Sequence, residues 1–154
     1  MKFLDPLETL NDPTLVHAQT GAVIATSVEV ARTSATRRRG LLGRKGQPHG
    51  SAIVITRCNA IHTIGMQFAI DVAFVDAEGC VRKIVYRLRP RRIAIAPRAS
   101  AVIELAAGEL HPGRLHVGDR VYLAPRSSDA PEAGTDTASK PRPSTLRMAA
   151  ASQA

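Results

Sequence analysis

Aromatic side chains are scarce in this 154-residue chain, which has no tryptophan, two tyrosines and three phenylalanines. Readers of single-stranded nucleic acid usually stack bases on aromatic platforms. Only Phe3, Phe68, Phe74, Tyr86 and Tyr122 are available for that, and two of them sit inside apolar strand patterns. Cysteine is nearly absent as well: Cys58 and Cys80 are too few for a disulfide framework, so a reducing compartment and two free thiols are expected. No apolar run approaches the roughly 20 residues of a membrane span. The opening MKFLDPLETLNDP sets Asp5, Pro6 and Glu8 where a secretion signal needs its apolar stretch, which points to a cytoplasmic location. Neither a phosphate-binding GxxxxGK[ST] loop nor a GxSxG nucleophile elbow occurs. Acids are missing from two long stretches. Arg32, Arg37, Arg38, Arg39, Arg44 and Lys45 form one block over 32–45, and seven arginines and lysines form another over 82–98. Such fields attract nucleic acid, phosphorylated ligands or anionic surfaces, although an ordinary solvated basic face has the same composition.

What is present suffices for one folded domain. Hydrophobic residues make up 44% of the chain, which excludes full disorder. Residues 1–13 read as a loosely attached arm, 14–124 as a single domain, and 125–154 as a disordered tail rich in Pro, Ala, Ser and Thr. Within the domain the segments are short, β-branched and punctuated by glycine. Leu15 to His17 and Val23 to Val30 flank a turn at Gln19-Thr20-Gly21, and Ile70 to Val75 and Val81 to Leu88 flank Asp76-Ala77-Glu78-Gly79. Ser51 to Thr56 reads as a buried strand, Ile93 to Ile95 as an edge strand before Pro97, and Ala101 to Ala106 and Arg120 to Leu123 as further strands. Only Thr33 to Leu42 reads as a helix, capped by Thr33 or Ser34 and stopped by Gly43. The expectation is a mainly-β, compact sandwich or barrel-like domain of short, mostly antiparallel strands with one short helix near 33–42.

Chemistry concentrates in Cys58-Asn59-Ala60-Ile61-His62-Thr63-Ile64-Gly65-Met66 and in Asp71. A metal held by Cys58 and His62 is a weak alternative. On a continuous strand the two would stand about 13 Å apart, at about 3.3 Å per residue. Asp71 interrupts a strand that is apolar on both faces, sharing one face with Ala73 and Val75. A carboxylate there requires a cation or several donors, and His62 or an arginine of 37–44 is the expected partner. It could be a functional acid or base, or one half of a structural ion pair. Arg39-Gly40-Leu41-Leu42-Gly43-Arg44 could hold an anion through backbone N–H groups and guanidinium forks, or simply end the helix with cations at its negative pole. Glu104, His111 and His116 lie near the last turns.

Three blocks in order, RRRGLLGR, CNAIHTIGMQFAIDVAFVDAEGCV and IELAAGELHPGRLHVGDRV, resemble the domain-of-unknown-function family 192 over roughly residues 14 to 124. The resemblance implies a compact mainly-β domain and no particular activity. Its pattern falls on Arg39, Gly40, Gly43, His62, Met66, Asp71, Asp76, Gly79, Glu104, Gly108, Gly118 and Asp119. Ile61-His62 stands where many members carry an aromatic pair, and Ala69 where proline is frequent. Many similar proteins are exported, and the IHT variant is associated with envelope or pilus systems.

The leading expectation is a small binding or accessory domain, monomeric and without a cofactor, that takes a small anionic ligand or a protein partner. Its candidate cleft lies between the 39–44 and 58–71 segments, with Arg39, Arg44, His62, Met66, Asp71 and Glu104 as candidate ligand-binding residues. Whether it is an enzyme is left open. The alternative is an unknown reaction with Asp71 and His62 as an acid/base pair. A further alternative is weak binding of nucleic acid or anionic surfaces through the 32–45 and 82–98 blocks.

Overall fold

A computed structural model describes residues 12–126 together with Phe3 and Leu10. The expected tail lies, from residue 127 onward, outside the described residues. The elements in chain order are β1 (Thr14–His17), β2 (Val23–Ala25), β3 (Ser27–Ala31), α1 (Ser34–Arg39), β4 (Ser51–Thr56), β5 (Ala60–His62), β6 (Ile70–Val75), β7 (Val81–Leu88), β8 (Ile93–Ile95), β9 (Ala101–Ala106) and β10 (Val121–Ala124). They form a five-stranded sheet in the order β3-β4-β9-β6-β7, a three-stranded sheet β10-β1-β2, and a two-stranded ribbon β5-β8. The architecture is mainly β and sandwich-like, not a closed barrel.

The middle strands β4, β6 and β9 are buried along nearly their whole length because both faces of the large sheet are covered. On one face Ala52, Val54, Ala73, Ile103 and Leu105 pack with Leu15, Ile24 and Leu123 of the three-stranded sheet. On the other, Ile53, Ile55, Val72, Phe74 and Val102 pack with Leu41, Ile61, Met66, Ala94 and Ala96. Alternation along each strand thus feeds two cores at once.

Two expectations, an unbroken strand over Val23 to Val30 and a helix reaching Leu42, are corrected by tertiary contacts. The strand expected over Val23 to Val30 breaks at Thr26, whose backbone N–H and hydroxyl both donate to Gly50 O. This corner sends β2 and β3 into different sheets. The pairing of β3 with β4 is parallel, in a domain otherwise paired antiparallel. The helix ends at Arg39, short of the expected Leu42. Of the two expected caps, Thr33 and Ser34, Thr33 is the one used, in a capping box with Thr36. The helix end is set by Gly40 rather than Gly43. Gly40 takes φ 44° and ψ −123°, a conformation closed to residues with a Cβ. Most of the expected arm lies outside the described residues; within it, Phe3 is buried and its backbone N–H donates to Ala77 O.

Candidate functional site

α1 has no buried residue. It stands over the large sheet like a short post, with Arg37, Arg38 and Arg39 in its last turn, and the chain then doubles back at Gly40 to bury Leu41. Opposite, the chain leaves β4 through Arg57, which holds a left-handed φ of 51°, and runs on through Cys58 into β5. Between these two walls opens a cavity of about 580 Å³. Leu41, Leu42, Ile55, Ile61 and Met66 supply its apolar lining. Around it stand Ser34, the three α1 arginines, Arg57, Cys58 and His62.

The one carboxylate in the lining is Glu104. It sits in the middle of β9, the central strand, opposite Ile53 of β4 and Val72 of β6, and is 4% exposed. Its Oε2 has no hydrogen-bond partner. Burial pushes its carboxyl up to about 7, against the opposing attraction of Arg44. Gly40 lies against it, and a Cβ at that position would sit in ordinary contact, 3.7 Å from Oε2.

The arginines differ in how far they are occupied. Arg37 donates to Arg32 O and Ser34 Oγ. Among the described residues, Arg38, Arg39 and Arg57 form no ion pair. Arg44 is bonded to Glu29 at 2.6 Å, and lines a smaller neighbouring hollow of about 340 Å³ with Arg39, Gly40 and Leu42. It therefore acts on the main cavity only at a distance. Burial pushes the Cys58 thiol up, and that thiol donates to Ala60 O at 3.0 Å, so it is no activated nucleophile. Cys58 and Cys80 are both free.

Asp71 is placed otherwise than expected. It is buried, on the face shared with Ala73 and Val75, which is the face of the sheet opposite Glu104. Neither His62 nor an arginine side chain holds it. Oδ1 accepts from the Arg87 N–H at 2.7 Å, and Oδ2 from the Gly108 and Leu110 N–H groups, each at 2.8 Å. These three bonds tie the register irregularity between β6 and β7 to the turn after β9. Of the six expected ligand-binding residues, Arg39, His62, Met66 and Glu104 line the one cavity, Arg44 lies beside it, and Asp71 does not line it. Sequence reasoning missed Arg57, which falls outside both basic blocks. It also passed over the strength of the Glu104 signal, a lone carboxylate in the apolar run AVIELA that the alternation argument applied to Asp71 would have singled out.

Residues 15–123 match the family DUF192, described as "Uncharacterized ACR". No curated protein matches the sequence. Two crystal structures share the fold. One, from Sinorhizobium meliloti 1021, is described as a proposed transcription regulator; it is 23% identical with a TM-score of 0.63, over 72% of this chain and 91% of that one. The other, a protein of unknown function from Novosphingobium aromaticivorans DSM 12444, is 23% identical with a TM-score of 0.59, over 79% of this chain and 91% of that one. Likeness at that identity carries the fold alone.

Proposed function

The chain belongs to the DUF192 family, and from that premise we propose that it is a small binding module that holds an anionic ligand in the cavity between the α1–Gly40 corner and the 57–66 segment. The observation that supports this reading is the set of arginines around an apolar hollow: Arg38, Arg39 and Arg57 have no acidic partner among the described residues. Guanidinium groups of that kind are predisposed to fork onto a carboxylate or phosphate. The volume lies within the about 300–1,000 Å³ usual for small-molecule sites, and the mix of apolar walls with few polar groups is that of such sites. Arg57 adds a second indication, because non-glycine residues in left-handed backbone cluster at functional positions. An acid/base pair of Asp71 and His62 is the weaker reading, since the oxygens of Asp71 are already engaged by three backbone donors.

Titration with inorganic phosphate, followed by amide chemical shifts, tests the proposal. Saturable shifts confined to residues 37–42 and 57–62, lost in an R38Q/R39Q variant, are the expected result. Absence of saturable shifts would overturn it. Shifts spread along 82–98 with oligonucleotide, weakening steeply with salt, would favour the nucleic-acid reading instead.

A further inference from the structure

Four carboxylates are buried in the described domain, and three of them are fully engaged. Asp71 accepts from three backbone N–H groups. Asp76 accepts from the Glu78 and Cys80 N–H groups and pairs with Arg82. Glu109 accepts from the Gly50 N–H and lies against His49 and Arg114. Glu104 is the exception. It is as deeply buried as the others, yet Oε2 meets no donor, and no arginine of the cavity reaches it. A buried polar group left unmatched is costly, and native domains retain few of them. This one lines the deep side of an open cavity whose outer side is cationic.

Resting on the cavity reading above, we propose that the ligand is an amphipathic anion whose far end carries a hydrogen-bond donor, a hydroxyl or an amino group. Its anionic group lies among Arg38, Arg39 and Arg57, its apolar body runs along Leu41, Leu42, Ile61 and Met66, and its donor meets the unpartnered Glu104 carboxyl. Each part of the lining then has one counterpart in the ligand. The protonation behaviour of Glu104 suits the task. A carboxyl pushed to about 7 by burial can accept from an alcohol or an ammonium once ionised, and can itself donate when protonated. The charged and titratable groups facing it are Arg44, Cys58 and His62, together with the arginines of α1 and Arg57. None of them is bonded to it. Selectivity follows from the same geometry: a ligand ending in a methyl group would offer the unpartnered carboxyl no donor.

The test compares matched probes: unbranched C6 to C10 carboxylates, each with and without a terminal hydroxyl, titrated into the intact protein by calorimetry and amide shifts. The ω-hydroxy acid of the best-fitting length is expected to bind at least tenfold more tightly than its parent acid. The Glu104→Met variant is expected to erase or invert that preference while leaving the parent acid bound. The wild-type comparison decides the matter even if that variant does not fold. Equal binding of the two series would overturn this inference and would leave the anion site standing. If no acid of either series bound, the inference would fall, and the phosphate titration would judge the cavity reading on its own.

Discussion

Asp71 and Glu104 stand on adjacent strands of one sheet, on opposite faces, and what each meets sets a different expectation for its replacement. Asp71→Ala strands three buried N–H donors at once, so a loss of about 3 kcal/mol or more is expected in urea denaturation. Asp71→Asn keeps one acceptor oxygen but sets an NH₂ group against a backbone donor, and it too should destabilise. Because Asp71 does not line the cavity, whatever fraction of either variant folds should bind phosphate as the parent does. Glu104 behaves in the reverse sense. Its carboxyl is raised from 4.5 to about 7 by burial, so the folded state holds a proton that the unfolded chain releases earlier. Its contribution to stability is therefore fully present below about pH 4.5 and lost as pH rises through 7, a swing of about 3 kcal/mol. Asp12, Asp76, Glu109 and Asp119 are lowered and act in the opposite direction, losing stability as pH falls. Comparing Glu104→Gln with the parent at pH 5 and pH 8 cancels those contributions. The variant should gain on the parent by about 2–3 kcal/mol over that interval. Equal pH profiles would show that Glu104 is not shielded from water as described.

At the scale of elements, the β6–β7 hairpin depends on close backbone approach. A Cβ at Gly79 would lie 2.3 Å from Val121 O, and the residue holds φ +80°. The two conditions act together, because the Gly79 carbonyl also accepts from the Val121 N–H at 2.9 Å, so the turn is clasped against β10. Gly79→Ala should cost about 3 kcal/mol or more and lower the melting temperature accordingly, combining left-handed strain with a backbone clash. A melting temperature near that of the parent would mean that the clasp yields. α1 shows the contrary case. With no buried residue it is held by the Thr33–Thr36 capping box and by the turn at Gly40, and it sets three arginines in the lining of the cavity. Its brevity was hidden in the sequence because Leu41 and Leu42 continue a helical pattern; they are apolar for the sake of the core and cavity wall beyond the helix.

The described domain is a central sheet between two apolar layers, and Phe3 takes part in one of them. Phe3 packs in the core that holds Leu15, Val81 and Val121 and lies against the Gly79 turn. Phe3→Ala should lose about 3 kcal/mol, as expected when a buried phenylalanine is truncated. Thermal unfolding of that variant checks this, and a shift of less than a degree or two would return the arm to a loose attachment. No helix among the described residues is long and apolar enough to cross a membrane. The arginine-lined cavity lies on the face of the sheet away from this core, so loss of Phe3 should lower stability without changing the affinity for phosphate.

By itself the sequence determined the class of fold, most strand positions, the two hairpins and a helix start at Thr33 or Ser34, because these follow from local quantities: β-branched runs, alternation, turn residues and a side-chain oxygen beside a helix start. Alternation also required that Asp71 be buried, and it placed Ala73 and Val75 on its face. It could not say what stood opposite. The donors that hold Asp71 come from Arg87, Gly108 and Leu110, brought near by register and turn geometry at separations of 16 to 39 residues. The break at Thr26, the parallel pairing of β3 with β4, and the meeting of Gly40, Arg57 and Glu104 around one cavity are likewise set between segments rather than within them. Periodicity tells which residues share a face, and only the packed structure decides which faces meet.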